Sequence, residues 1–467
     1  MVKAVVGSGG KTTLIHKLAK QYVQHGLKVF VTTTTHMYIE NDTLVCDNAD
    51  EIIAKLKKDG YVMAGVIEPK DESKIKALSK ETYAKVCSVA DIVLVEADGS
   101  KHMSIKFPNE KEPVIYDNFD EIIVVCGLNA IGKKAKDVAF RLELVKNCLG
   151  IEDDTVITAQ HIQKLVTEGY LKPLAEKYPE KTISVYPVND GSLYQKTVAS
   201  LMKNGKDVSL VKEEWFESRP KLVICGAGHV AYDLAKIASC LDFNIKVVDD
   251  RAEFANKERF PFADEVVFDS FENLSKHLEK NAFNVVVTRG HKADFDCVKK
   301  ILEIPYRYIG MIGSKLKVKK TFENLAEAGV GEELIKTIHA PIGLSIGAQT
   351  PAEIAISILA EIIEEKNKAQ QACCSSELLS VDKKGVLCII IEKSGSSPRS
   401  VGSMMFVGED FTVDSIGGGP VEFAAIADAR NCNEIMVKKY DLSNAESEKL
   451  GMICGGTNTV LFVPIEN

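Results

Sequence analysis

Residues 221–250 read KLVICGAGHVAYDLAKIASCLDFNIKVVDD, and their pattern is a strand, a glycine turn, a helix and a second strand. In the GxGxxA turn, Gly226 makes the bend and Gly228 lets a pyrophosphate approach. Asp249 ends the second strand, where an acidic residue binds a ribose hydroxyl. The stretch predicts a Rossmann-type, doubly wound fold. Two ligands remain possible for this turn: NAD(P) and another phosphate-bearing molecule. The nearby Arg251 would favour the second.

The residues that follow continue the same α/β pattern. Short apolar runs predict further strands at Glu265–Phe268, Asn284–Thr288 and Tyr308–Ile312. Apolar residues repeated at helical spacing predict a helix over Ala352–Glu364, with Thr350 as its N-cap.

The length of the chain, 467 residues, corresponds to about three domains. Polar stretches at residues 211–220 and 365–378 predict linkers. The predicted fold class is therefore α/β in three parts. They are a P-loop-type domain at 1–210, the Rossmann-type domain at 221–365 and a small β-containing α/β domain at 378–467.

Composition excludes several classes of protein. The net charge of −8 argues against a general nucleic-acid binder, which would carry a basic surplus. No apolar run approaches the ~18 residues of a membrane span, and the N-terminus has no signal-peptide pattern. We expect a cytoplasmic protein without a membrane segment, whose 12 cysteines, none in a CxxC pair, are mostly reduced.

A second glycine turn, GSGGKTT at residues 7–13, lies between a predicted strand and a predicted helix. Glycine amides can close around phosphate oxygens, and the helix N-terminus favours negative charge. The loop is shorter than GxxxxGK[ST], which would need glycine at Val5. We predict an ATP or GTP site with Mg²⁺, formed by Gly7, Gly9, Gly10, Lys11, Thr12 and Thr13.

Two carboxylates follow the apolar strand in DIVLVEADGS. At the end of such a strand, an acidic residue can bind Mg²⁺ or position a nucleophile. We predict Glu96 and Asp98 as catalytic residues, with Asp98 and Thr12 as metal ligands. The hydroxyls of TTTTHM at residues 32–37 are expected at the same edge of the sheet.

Four segments of the first part occur in a specific order: GSGGKTT, VTTTTHM, VEADGSKHMSIKFPNEKEPVI and VVCGLNAIGK. This set resembles the YqeC-type family over about residues 1–210. The resemblance implies an accessory factor of selenium-dependent molybdenum hydroxylases. The chain departs from the family at Phe140-Arg141, where a His-Arg pair is usual. No residue shows selenium chemistry by itself.

The second part resembles the Rossmann domain of the XdhC/CoxI family in KLVICGAGHVA, VVVTRGHKAD, YIGMIGSKLK and HAPIGLSIGAQTPAEIA. That family matures xanthine dehydrogenase and related enzymes. The resemblance implies binding of the molybdenum cofactor and delivery of its sulfurated form. It also implies ligand-facing roles for His229, Arg251, Arg289, His291, Ser314, Lys315 and Gly347.

The third part carries GSSPRxxGxxM, SIGGGxxE and GMICGG, which resemble the other XdhC/CoxI module. The module usually precedes the Rossmann domain, and Pro420 stands where Cys is usual. Glycine turns and an Arg can form an anion cradle. We predict that cradle from Arg399, Gly417, Gly418 and Gly419, with Cys454 as the residue for sulfur chemistry and Cys373-Cys374 as a weaker candidate.

These predictions combine into one hypothesis. The chain matures a molybdenum hydroxylase, binding the cofactor and using ATP or GTP. Its expected partners are the apo-enzyme and a sulfur or selenium donor protein, with a homodimer possible. Two alternatives stay open: an NAD(P)-dependent oxidoreductase and a non-catalytic cofactor chaperone.

Overall fold

The structure is a computed structural model that describes residues 1–216, 219–241, 243–368, 374–395, 399–441 and 456–466, without the side chains of His291 and Pro420. Cys454 and Cys373 lie outside the described residues.

The first sheet is mostly parallel and forms the centre of the first part. Its strands run in the order β11-β9-β1-β7-β2-β5-β6-β3, with β4 paired to β5. Strands β8 and β10 form a separate two-stranded sheet. The strands of both sheets are β1 (Val2–Gly7), β2 (Val29–Thr33), β3 (His36–Tyr38), β4 (Thr43–Val45), β5 (Tyr61–Glu68), β6 (Asp71–Lys76), β7 (Ile92–Glu96), β8 (Ile105–Lys106), β9 (Glu121–Gly127), β10 (Ala139–Phe140) and β11 (Thr182–Val188).

Eight helices accompany this sheet in the described residues: α1 (Lys11–Gln24), α2 (Ala49–Asp59), α3 (Lys80–Cys87), α4 (Ala135–Val138), α5 (Leu142–Leu149), α6 (Ala159–Val166), α7 (Lys172–Lys177) and α8 (Leu193–Lys203). A π-helical turn, Thr167–Leu171, joins α6 to α7. Because β1 lies between the parallel strands β7 and β9, the loop after β1 is at the middle of the sheet's carboxyl edge.

The second sheet has six parallel strands in the order β14-β13-β12-β15-β16-β17. This is the Rossmann order, so the Rossmann-type prediction is confirmed. Its elements are β12 (Lys221–Cys225), β13 (Asn244–Asp249), β14 (Glu265–Phe268), β15 (Ala282–Val286), β16 (Tyr306–Met311), β17 (Ile338–His339), α9 (His229–Ser239), α10 (His291–Ile301), α11 (Lys315–Glu327), α12 (Glu332–Ile335) and α13 (Pro351–Lys368).

The third sheet is antiparallel, in the order β20-β19-β18-β22-β21. Its elements are α14 (Ser376–Leu379), β18 (Gly385–Gly395), β19 (Met404–Val407), β20 (Thr412–Asp414), α15 (Gly419–Arg430), β21 (Met436–Asp441) and β22 (Gly456–Ile465). The overall class, mixed α/β with several sheets, is as predicted. The domain boundaries themselves stay predictions.

The first and third sheets share one hydrophobic core, although the second sheet lies between them in the chain. Leu387, Phe406 and Val463 of the third sheet belong to the same buried cluster as the first sheet, whereas residues 222–362 form separate clusters. Ser200 Oγ on α8 donates to the Pro464 carbonyl at 2.7 Å. The two distant segments therefore pack as one body.

The stretch predicted as the first linker packs into this shared core. Trp215 and Phe216 are buried within it, because two large aromatic side chains outweigh the polar residues around them. Cys374 is also buried, and its Sγ donates to the Trp215 carbonyl at 3.0 Å. Burial removes the exposure that sulfur chemistry at Cys374 would need.

Substituting Gly402 with alanine tests the packing of Trp215. A Cβ at Gly402 would lie 2.8 Å from the indole ring, and φ is +88°. Gly26 is the matched control, because φ is +77° there but a Cβ would meet no atom within 4 Å. We expect G402A to lower the free energy of unfolding by about 1–3 kcal/mol more than G26A. Urea unfolding followed by fluorescence of the single tryptophan measures this, and equal losses would refute the packing argument.

Candidate functional site

The phosphate-type loop after β1 has a backbone that requires glycine. Gly7 and Gly9 have φ of +97° and +76°. A Cβ at Gly7 would lie 2.0 Å from the Val125 carbonyl oxygen, and one at Gly9 would lie 2.6 Å from that of Ser104. No side chain fits at either position, so the loop packs directly on β9 and on the residue that precedes β8.

Backbone N–H groups of residues 9–13 surround the start of α1. In the described part of the chain no acceptor faces them, and the Gly10 N-cap has no side-chain cap. Unsatisfied donors at a helix N-terminus, reinforced by the helix dipole, form an anion-binding site. The predicted phosphate loop therefore has the donors that a phosphate needs.

Lys11 lies buried beneath this loop, with 3% of its side chain exposed. Its Nζ donates to the Gly7 carbonyl at 2.9 Å and lies 3.0 Å from Asp98 Oδ1 and 3.7 Å from Glu96 Oε1. Burial opposes the charge of Lys11, but the two carboxylates outweigh it and raise the lysine pKa. The lysine is held charged at the loop.

Asp98 is fully buried and connects the loop to the rest of the site. Its Oδ2 accepts from Gly7 N at 2.9 Å and from Tyr170 Oη at 3.0 Å, and lies 2.8 Å from Lys106 Nζ. Burial would raise the pKa of the Asp98 carboxyl, but Lys11 and Lys106 hold it below its ordinary value. Donors surround the carboxylate, so a metal ion there would have to displace one of them.

Glu96 and Thr12 form a second polar pair beside the loop, in which Glu96 is buried. Thr12 is exposed on the first turn of α1, and its Oγ1 donates to Glu96 Oε2 at 3.1 Å. Burial raises the pKa of the Glu96 carboxyl above its ordinary value. Thr13, which was predicted beside them, is also exposed on this turn.

Sequence reasoning missed four residues of this network. Lys106 Nζ also donates to Glu112 at 3.0 Å, and Arg141 binds both oxygens of Glu112 at 2.6 and 2.9 Å. Tyr170 reaches Asp98 from the π-helical turn, a feature that is frequent at functional sites. Lys106 and Glu112 lie in a quoted motif and Arg141 in the named Phe140-Arg141 pair, which were the available signals, whereas Tyr170 had none.

The threonine run that ends β2 has a structural role in this arrangement. Thr32 Oγ1 donates to the Ala64 carbonyl and Thr33 Oγ1 to the Glu96 carbonyl, both at 2.8 Å. His36 pairs with Glu68 at 3.0 Å. These side chains hold the sheet edge together.

The second candidate site lies at the carboxyl edge of the Rossmann sheet. Most of the residues predicted there lie at or just after the carboxyl ends of parallel strands β12, β13, β15 and β16: Gly226, Gly228, His229, Asp249, Arg251, Arg289, His291, Ser314 and Lys315. Gly347 lies in the segment between β17 and α13, and its place at this edge stays a prediction. A cavity of about 290 Å³ at this edge includes Asp249 and Arg289 in its lining. The side chain of His291 is outside the described residues.

Asp249 is already engaged within the protein. It accepts from Ala227 N at 2.7 Å, and Arg251 Nε and Nη2 each donate to it at 2.8 Å. Burial would raise the pKa of Asp249, but Arg251 and the amide lower it. A ribose hydroxyl would therefore have to displace Arg251, which makes the NAD(P) alternative depend on a rearrangement.

The third candidate site contains an internal carboxylate. Gly417, Gly418 and Gly419 all have positive φ, as a glycine turn requires. Glu422 Oε2 accepts from Ile416 N and Gly418 N, both at 3.0 Å. An external anion would compete with this carboxylate. Arg399 is exposed, and Cys454 lies outside the described residues.

Comparison with protein families confirms the predicted resemblances. Residues 3–143 match the YqeC protein model, residues 222–362 match the XdhC Rossmann domain, and residues 378–436 match the XdhC and CoxI family. The chain joins these segments in the order that the sequence indicated. In the part that the structure describes, no helix is long and apolar enough to cross a membrane, and no cluster of three His, Cys, Asp or Glu could hold a metal.

Individual relatives match parts of the chain. The uncharacterized protein YqeB of Escherichia coli is 41% identical over 32% of this chain and 28% of its own length. A probable xanthine dehydrogenase component of Bacillus subtilis is 29% identical over 32% of this chain and 44% of its own length. The uncharacterized protein YqeC of Escherichia coli is 27% identical over 35% of this chain and 67% of its own length.

Among solved structures, a xanthine dehydrogenase from Bacillus halodurans is similar at 34% identity. The match covers 32% of this chain and 43% of the other chain, with a TM-score of 0.30. The chain thus spans less than half the length of YqeB and of the Bacillus subtilis relative.

Proposed function

We propose that this chain is a maturation factor for a molybdenum hydroxylase of the xanthine dehydrogenase type. It binds the molybdenum cofactor as cargo at the Rossmann edge and a nucleoside triphosphate at residues 7–13. The observation that carries the proposal is the presence, on one chain, of segments matching the YqeC, XdhC Rossmann and XdhC/CoxI models. The sulfur or selenium donor and the apo-enzyme are its proposed partners.

The Rossmann edge suits an anionic cargo that carries a phosphate. A Cβ at Gly228 would meet no atom within 4 Å, so there is open space before the first turn of α9. Arg289 and Lys315 are exposed at the same edge. Helix N-termini and exposed cations together bind phosphate groups.

The glycine loop suits the phosphates of ATP or GTP. Backbone donors of residues 9–13 would hold the phosphates, and Lys11 would turn from its carboxylates toward them. We assign Mg²⁺ to Thr12 and Glu96 rather than to Asp98, because donors already surround Asp98. Asp98 then positions Gly7 and Lys11. Bound Mg²⁺ would neutralise phosphate charge.

Retention of the pterin tests the cargo proposal. The full chain is loaded anaerobically with molybdenum cofactor, and bound pterin is measured by fluorescence after oxidation, together with molybdenum content. We expect wild type to retain pterin and K315A or R289A to retain about tenfold less. Lys319 is the matched control on the same helix, since it is exposed one turn further on.

Two results would contradict the cargo proposal: no pterin on the wild-type protein under any loading condition, or equal losses in K315A and K319A. A fluorescence change of added NADH that R289A and K315A leave intact would favour the oxidoreductase alternative instead.

A further inference from the structure

A separate cavity of about 460 Å³ includes Ser104, a residue that also contacts the phosphate loop. Its lining includes His102, Ser104, Lys133, Lys134 and Asp137. The Ser104 carbonyl accepts from Ser8 Oγ at 3.1 Å, so the same residue borders both the loop and the cavity. This volume is typical of a small-molecule site.

Two adjacent lysines give the cavity its charge. Lys133 is exposed and has no ion pair among the described residues, and Lys134 is half-exposed and lies 3.0 Å from Asp154. The backbone beneath them is fixed, since Gly132 N donates to the Ile157 carbonyl at 2.9 Å and Ile157 N donates to that of Lys133 at 2.8 Å. The ammonium groups therefore extend from a rigid base.

Backbone strain occurs at the part of the lining that includes His102. Lys101 and His102 both have left-handed φ values, +47° and +62°, which cost non-glycine residues about 1–2 kcal/mol each. The ring of His102 is stacked on Tyr38 at 5.2 Å between centroids. Strained residues of this kind cluster at binding sites. Here the strained residue His102 belongs to the cavity lining, together with the two lysines.

We propose that this cavity binds a second ligand, a small phosphate monoester with a hydroxyl or amino group, beside the nucleotide. Lys133 and Lys134 bind the phosphate, and His102 can donate to it. Asp137 accepts from the hydroxyl or amino group. The position beside a nucleotide rests on the proposed function, whereas the phosphate site itself rests on these side chains.

The test uses phenyl phosphate as the probe, titrated calorimetrically into the full chain with and without saturating ADP and Mg²⁺. We expect the double variant K133A/K134A to bind it at least about tenfold more weakly than wild type. Lys136 is the matched control, because it is half-exposed like Lys134 and pairs with the same Asp154, at 2.7 Å, but lies on helix α4 outside the cavity lining. K136A should bind within about twofold of wild type, and binding should weaken as salt is raised.

Three results would overturn the proposal: no binding of phenyl phosphate to wild type, equal losses in K136A and K133A/K134A, or displacement of the probe by ADP. The nucleotide proposal fails separately, if ATP does not bind while the probe still depends on the two lysines.

Discussion

Replacing Asp98 with alanine is expected to lower the free energy of unfolding by about 3–5 kcal/mol. The carboxylate is fully buried and lies within 3.0 Å of Lys11 Nζ and 2.8 Å of Lys106 Nζ. Its removal leaves two buried ammonium groups with less compensating charge, and the Gly7 amide and the Tyr170 hydroxyl without an acceptor. Buried charges that lose their partner are among the most destabilising changes in proteins.

Urea unfolding at neutral pH, followed by the fluorescence of Trp215, measures this effect, because that tryptophan belongs to the core cluster of the first sheet. Asp59 is the control: it is exposed and pairs with Lys55 at 3.2 Å on α2. We expect D59A to change the free energy of unfolding by less than about 1 kcal/mol. A similar, small change in D98A would refute the role of the buried network.

The stability that Asp98 contributes, measured as the difference between wild type and D98A, depends on pH. Burial opposes ionisation of Asp98, but the two lysines outweigh burial and lower its pKa in the folded state. A carboxyl with a lowered folded pKa contributes stability above its unfolded pKa of about 4 and loses it as the pH falls further. The difference in stability between wild type and D98A should therefore be constant near neutral pH and shrink in acid.

Lys11→Ala is expected to weaken the binding of ATP and GTP by about 10- to 100-fold. The lysine lies at the N-terminus of α1, where the backbone donors of residues 9–13 have no acceptor among the described residues. Without its ammonium group, the outer phosphates lose a charge-assisted hydrogen bond. Titration with a fluorescent ATP or GTP analogue in the presence of Mg²⁺ measures the affinity.

Lys20 provides the control for this variant, because it is an exposed lysine further along the same helix. K20A should bind nucleotide like wild type. In K11A the Asp98 carboxylate keeps Lys106, so circular dichroism should report a folded protein. Equal affinity in K11A and wild type would contradict the assigned phosphate site. Hydrolysis present in wild type and absent in K11A would exclude the non-catalytic chaperone.

Local patterns were sufficient for the Rossmann segment. The strand Glu265–Phe268 has the predicted bounds, and the helix after Thr350 begins at Pro351 with the expected cap, since Glu353 N lies 3.3 Å from Thr350 Oγ1. Two other strands begin two residues before their predicted starts. The positions of such strands and helices depend mainly on residues that are neighbours in the chain, so they can be predicted from a single sequence.

The sequence by itself determined where the glycine turns lie, because a strand followed by glycines and a helix start is a local property of the chain. Only the tertiary structure decided which distant residues surround these turns. Tyr170 reaches Asp98 across 72 residues, and Trp215 packs in a core shared by the first and third sheets. These contacts depend on strand order and on how distant segments pack, which residue spacing does not record.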